Sequence, residues 1–239
     1  MPTINLLYQR EYKINDKISL VIPTVGEVIN NEDDYYSLVS MITSMPIDLQ
    51  VQLDDVGIDY TTVNAWEVFL ISFDAVKSHD TTLLFGDLDL SKFEMAENKD
   101  NNEVVLADFE RDIVIDRAVY EKIATALRKI HHLQKNTRKP ANDEAKRFML
   151  ERERVKQKRK KRHNKESYLE SLIVALVNTE QFKYDYESVL GISIYQFNES
   201  LKQIIKKINY DNVMHGIYAG TVSAKDLKPE ELNWLSNDK

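Results

Sequence analysis

From Lys156 to Ser167 the chain carries no apolar side chain at all, and this gap limits what it can fold into. A helix or strand without an apolar face cannot be held by burial, so this stretch is expected to be solvated or ordered by charge. It also closes a strongly basic run. Between Lys146 and Lys165 eleven Lys/Arg stand against only Glu151 and Glu153, in a chain of net charge −7. The opposite charge lies upstream, where residues 1–115 hold 22 Asp/Glu and 7 Lys/Arg, leaving 116–239 net positive. Two oppositely charged halves joined by a basic segment point to a partner or to self-contact.

Apolar patterning on either side of the gap predicts an α+β fold. A mixed α/β domain over 1–135, with a small hairpin or sheet, precedes a basic helical linker over 136–166 and a helical C-terminal domain over 167–239. In the first domain Ile18, Leu20 and Ile22 alternate as a strand before Pro23. Thr24 and Glu27 have capping-box spacing for a short helix. Tyr35 to Ser44 is helical in pattern, and Thr61 or Thr62 can cap a second helix carrying Val63, Trp66, Phe69, Leu70 and Phe73. Residues 82–106 suggest β structure: TLLFG, then KFEMAEN and EVVLAD paired around the turn Lys99 to Asn102. Asp116 caps a helix with an apolar stripe of Val119, Ile123, Ala126, Ile130 and Leu133, and the polar run Lys135 to Asn142, with Pro140, ends it.

Asn142 is placed to cap the basic helix, whose apolar contacts are confined to Phe148, Met149, Leu150 and Val155. Helical spacing resumes at Leu169, Leu172, Ile173 and Leu176. Gly191 marks a stop, and Ser193 with Gln196 forms another capping box. It opens a helix with Ile194, Phe197, Leu201, Ile204, Ile205 and Ile208 on one face and a continuation toward Gly220. Near the C-terminus Pro229 suits a first helical turn, with Leu232, Trp234 and Leu235 as anchors.

No catalytic constellation emerges, and the expectation is a non-enzymatic protein without cofactor or metal. The six glycines, at 26, 57, 86, 191, 216 and 220, form neither GxGxxG nor a Walker loop. The five histidines lack HExxH spacing, and the absence of cysteine removes thiolate ligands, thiol catalysis and disulfides, which suits a reducing compartment. The acids Asp54, Asp55, Asp59, Asp87 and Asp89 lack EF-hand spacing and are read as solvated turns and caps. No apolar run approaches the roughly 20 residues of a membrane span, and the start MPTINLLYQREYKIND has no signal-peptide pattern. Host cytoplasm is the expected location, or the virion for a structural component.

The basic run has two readings. Its cations suit phosphate contact with release of counterions, which makes a nucleic-acid accessory protein one alternative. Aromatics for base stacking flank it only at Phe148 and Tyr168, and the sequence pI of 5.4 disfavours phosphate elsewhere on the surface. Contact with protein is favoured instead, including self-association of the acidic domain of one copy with the basic helix of another. The candidate partner-binding residues are Arg152, Arg154, Lys156, Lys158, Arg159, Lys160, Lys161 and Arg162, together with the aromatics Tyr195, Phe197 and Trp234.

A resemblance carries the reading further over about 60 residues, from Ser171 to Leu227. The aromatic segment Tyr184-Asp-Tyr-Glu187, the helix start from Ile194 to Ser200 containing QFNES, and the close from Tyr210 to Gly220, YDNVMHGIYAG, resemble the C-terminal region of tail-assembly proteins from phages of low-GC Gram-positive bacteria. The segment Leu20 to Val28, LVIPTVGEV, is similar to tail or baseplate assembly proteins as well. The resemblance implies a tail assembly chaperone that engages tape-measure or tail-tube protein, or else a structural virion protein of baseplate or neck.

Overall fold

The computed structural model describes residues 6–99, 101–160 and 167–235, and it has the expected α+β architecture. Strands β1 (Glu11–Lys13) and β2 (Ser19–Val21) form an antiparallel pair, with Glu11 opposite Val21. Ile18, Leu20 and Ile22 are all buried, as their alternation requires. Thr24 then opens α1 (Val25–Ile29) with a complete capping box: Glu27 N–H donates to the Thr24 hydroxyl, and Thr24 N–H donates to the Glu27 carboxylate.

Helix α2 (Glu32–Thr43) buries Tyr35, Leu38, Val39 and Ile42. A 3-10 turn over Pro46–Leu49 leads into α3 (Gln50–Asp55). Helix α4 (Ala65–Lys77) buries Trp66, Phe69 and Phe73, but its cap is Asn64 rather than Thr61 or Thr62. Those two threonines are already engaged: both amide and hydroxyl of Thr61 donate to the Asp59 carboxylate, and the Thr62 hydroxyl donates to the Asp59 carbonyl.

TLLFG is not a strand. Thr82–Phe85 makes one helical turn, α5, started by Thr82 N–H donating to Asp80 and stopped by Gly86 at φ +58°. Adjacent Leu84 and Phe85 are both buried, which a strand's alternation would not allow on one face. The rest of that region forms the predicted hairpin. Strands β3 (Glu94–Glu97), β4 (Val104–Asp108) and β5 (Ile113–Ile115) build an antiparallel meander, with Leu106 at its buried centre.

Asp116 caps α6 (Arg117–Ile130) by accepting from Val119 N–H. The helix ends earlier than its apolar stripe suggests. His132 adopts φ +54°, the chain leaves the helix axis, and Leu133 is 42% exposed rather than part of the core. An irregular strap then leads to α7 (Asp143–Lys160), and the helices α8 (Tyr168–Val177) and the 25-residue α9 (Ile194–Tyr218) come after it in the chain. The Ser193–Gln196 capping box is present.

One hydrophobic core runs through both of the predicted domains. Leu169, Ile173, Leu176, Phe182, Ile194, Phe197 and Ile204 belong to the same cluster as Leu20, Ile42, Phe73 and Leu127. The register is anchored by hydrogen bonds between Ile194 N–H and the Pro23 carbonyl and between Val25 N–H and the Ile192 carbonyl. Glu32 of α2 also reaches the start of α8, accepting from Leu169 N–H at 2.8 Å and from the Ser167 hydroxyl. Beyond Ile204 no residue of α9 is buried, so its second half extends past the core. There the C-terminal segment folds back, bringing Trp234 to Lys207, while Leu232 and Leu235 remain exposed and do not anchor it.

Candidate functional site

Among the described side chains of helix α7 none is buried, and the helix lies against the chain's own acidic surface. Its start is fixed by Ala145 N–H donating to Asn142, and Asp143 and Glu144 favour the positive end of the helix dipole. Lys146 reaches Asp59 at 2.5 Å, with its ammonium 5.8 Å from the centre of the Tyr60 ring. Two turns later the Arg154 guanidinium bridges Asp54 at 2.7 Å and Asp55 at 2.6 Å. Positions 146 and 154 share a face because eight residues are close to two helical turns. Between them Met149 packs on a small cluster of Ile47, Leu53, Tyr60 and Val68.

The socket is the sequence LDDVGID. After α3 ends, Gly57 at φ +75° turns the chain so that Asp54 and Asp55 meet one end of the clasp and Asp59 the other. The hydrogen bond from Lys146, followed by those from Thr61, lowers the Asp59 pKa to about 2, and the same contact raises that of Lys146. These acids are therefore more than solvated turns. Contact between the acidic half and the basic helix is thus made within one chain by Lys146 and Arg154, residues that the charge pattern by itself did not single out from the other cations of the run.

The opposite face of α7 is open. Phe148 and Val155 are 65% and 50% exposed, and they line a shallow groove along the helix with the cations Arg152, Lys156 and Arg159 and the single acid Glu151. Their spacing of three, four and seven residues makes this a continuous helical stripe. Lys158 is also exposed, whereas Lys156 lies 3.5 Å from Glu153 and Arg154 is occupied by the clasp. Lys160 is the last residue of the helix, and Lys161 and Arg162 lie outside the described residues.

The predicted aromatic contacts divide differently. Phe197 is fully buried, meeting Phe182 edge-on at 6.4 Å, so it is a core residue and offers no surface to a partner. Its helical spacing with Ile194, Leu201 and Ile204 places it on the inward face. Tyr195 is half-buried, stacked on His132 at 5.6 Å, and its hydroxyl donates to Glu199. Trp234 is half-buried beside Lys207.

Among the described residues no three His, Cys, Asp or Glu side chains converge as metal ligands, and no helix is long and apolar enough to cross a membrane. The fold and surfaces describe a mixed α+β protein with a helical C-terminal region and a basic helix clasped on its acidic half. Residues 157–239, from the end of that helix onward, match the family model described as the YomV second domain, a phage-associated family. This similarity supports a phage protein and covers about a third of the chain. No curated protein and no solved structure matches.

Proposed function

We propose that this protein is a non-enzymatic phage tail morphogenesis factor that acts by protein–protein contact, as a tail assembly chaperone does. The observation that carries the reading is the outer face of α7. It sets Phe148 and Val155 among Arg152, Lys156, Lys158 and Arg159 on a helix whose other face is already held by Lys146 and Arg154. Exposed apolar anchors within a cationic rim favour an acidic protein surface over the phosphate backbone, which gains nothing from Phe148 and Val155 in the absence of a stacking platform. The similarity to a phage-associated domain supports the setting. Such a factor works in the host cytoplasm; a structural role in the baseplate or neck would place it in the virion.

Co-expression of the full chain with tape-measure and tail-tube proteins tests the proposal. A complex that copurifies with one of them, weakens on R152E/R159E, and is absent from purified particles by mass spectrometry is the expected result. Normal tails after deletion of the gene, together with no copurifying tail protein, would overturn it. Abundance in particles would establish the structural alternative. Binding to random-sequence DNA or RNA with a steep salt dependence, and to no tail protein, would establish the nucleic-acid alternative.

A further inference from the structure

A second concavity lies on the other side of the clasp. Residues 133–142 form an irregular strap between α6 and α7, tied down by Asn136 donating to Asp48 at 2.8 Å. Behind it is a cavity of about 520 Å³, within the usual range for a specific site. Its apolar wall comes from Met45, Pro46, Ile47, Tyr60, Val63 and Trp66. Its charged wall holds five cations, Arg117, Lys135, Arg138, Lys139 and Lys146, against the acids Glu121 and Asp143. The cations all come from the net-positive part of the chain and stand opposite an apolar wall supplied by its acidic part.

Three details indicate what would fill it. First, Arg117 and Lys146 are neutralised by Glu121 and Asp59, but among the described residues Lys135, Arg138 and Lys139 make no ion pair and are exposed at the mouth. Second, the strap has almost no internal pairing. Among the described residues, the one hydrogen bond made by a backbone N–H between Gln134 and Lys139 is a long one, from Arg138 to the Asn136 side chain at 3.4 Å. Third, the Tyr60 phenol oxygen is buried without a hydrogen-bond partner, leaving an unused polar group in the wall.

An open main chain beside an apolar recess matches the way peptides are bound by strand addition, where backbone pairs with backbone and alternate side chains enter pockets. A nucleotide fits less well. None of the six glycines lines the wall, so no glycine loop can wrap a phosphate, and Tyr60 and Trp66 are 5% and 7% exposed, leaving no open ring face for a base. We propose that this cavity is a peptide-binding site for an acidic segment of a partner protein, which pairs with the strap at 134–139, inserts an apolar side chain against the half-buried Met45 and Val63, and meets Lys135, Arg138 and Lys139 with its carboxylates. The site is separate from the outer face of α7 and does not depend on the tail-assembly reading.

The test is selection of a ribosome-displayed library of 12-residue peptides on the full-length chain, followed by anisotropy with the labelled winners. The expected winners combine several Asp/Glu with at least one large apolar residue. Their Kd should rise at least tenfold with R138E/K139E, which changes two unpaired surface residues, and also with V63W, which fills the recess without altering charge. Thermal melting checks both variants; should V63W not fold, R138E/K139E carries the test alone. No enrichment, enrichment of peptides without acidic residues, or binding that a 20-nucleotide single-stranded DNA displaces as readily as an acidic peptide would overturn the proposal.

Discussion

Acidification should destabilise this protein through one buried imidazole. His131 is 8% exposed, packed between Tyr35 and Tyr36, with its Nε2 2.9 Å from the Tyr35 hydroxyl. Burial, with a smaller contribution from neighbouring His132, lowers its pKa to about 4 from the ordinary imidazole value of about 6.5. The folded pKa lies below the unfolded one, so the unfolded chain takes up a proton first. The stability from keeping His131 neutral is complete above about pH 6.5, declines as the pH falls from 6.5 to 4, and is lost below 4. At about 1.4 kcal/mol per pKa unit the full loss is about 3 kcal/mol, which corresponds to a melting shift of roughly 6–12 °C for a chain of this size.

Urea unfolding at half-unit pH steps, compared between the natural chain and His131→Gln, isolates the effect. Glutamine keeps a polar partner for Tyr35 without titrating, and the carboxylates and the other histidines are common to both proteins. Asp59 in particular acts in a lower window: its lowered pKa gives stability that is lost as pH falls from 3.8 towards 2. The difference between the two proteins should change by about 3 kcal/mol between pH 6.5 and 4. Parallel curves across that interval would refute the reasoning, since they would mean that the ring gains its proton in the folded protein as easily as in the unfolded one.

Removing the clasp with Arg154→Ala should lower the melting temperature only slightly, because the pairs with Asp54 and Asp55 are roughly half exposed and solvent screens them; the difference from the natural chain should vanish in 1 M salt, measured by thermal melting. Amide exchange across α7 should quicken in the same variant. Glu32→Ala removes the acceptor for the first amide turn of α8 and should cost about 1–2 kcal/mol, with faster exchange at Leu169 by NMR. Phe197→Ala should cost about 3–5 kcal/mol in urea unfolding, as expected for a buried phenylalanine, whereas a partner-facing residue would leave stability almost unchanged.

Wherever a local rule decided the structure, it could be read directly. Thr24 with Glu27, Ser193 with Gln196, Asp116 and Asn142 cap the helices predicted from them, because a cap involves only residues a few positions apart. The alternation of Ile18, Leu20 and Ile22 and the helical stripe of Leu169, Ile173 and Leu176 likewise gave their buried faces. Local rules failed where two of them competed. Thr61 and Thr62 were plausible caps until Asp59 engaged both, and LLF in TLLFG is too short for periodicity to separate a strand from a helical turn. For the candidate site, the chain displayed the exposed basic run but not the strap cavity, whose walls come from residues 45–47, the segment leading into α4, helix α6, the strap and the start of α7.

From the sequence alone came the charge division between the halves, the α+β class, and the fact that nothing between Lys156 and Ser167 can be buried for its apolar surface. These follow from composition and period, which need no knowledge of who touches whom. Tertiary structure decided that Asp54, Asp55 and Asp59 clasp Lys146 and Arg154 of the same chain, that Phe197 belongs to the core, and that Phe148 and Val155 face outward. Which face of a charged helix is held depends on residues nearly 90 to 100 positions away. No periodicity within the helix records that distance, because the electrostatic attraction is specified only once packing has brought the two surfaces together.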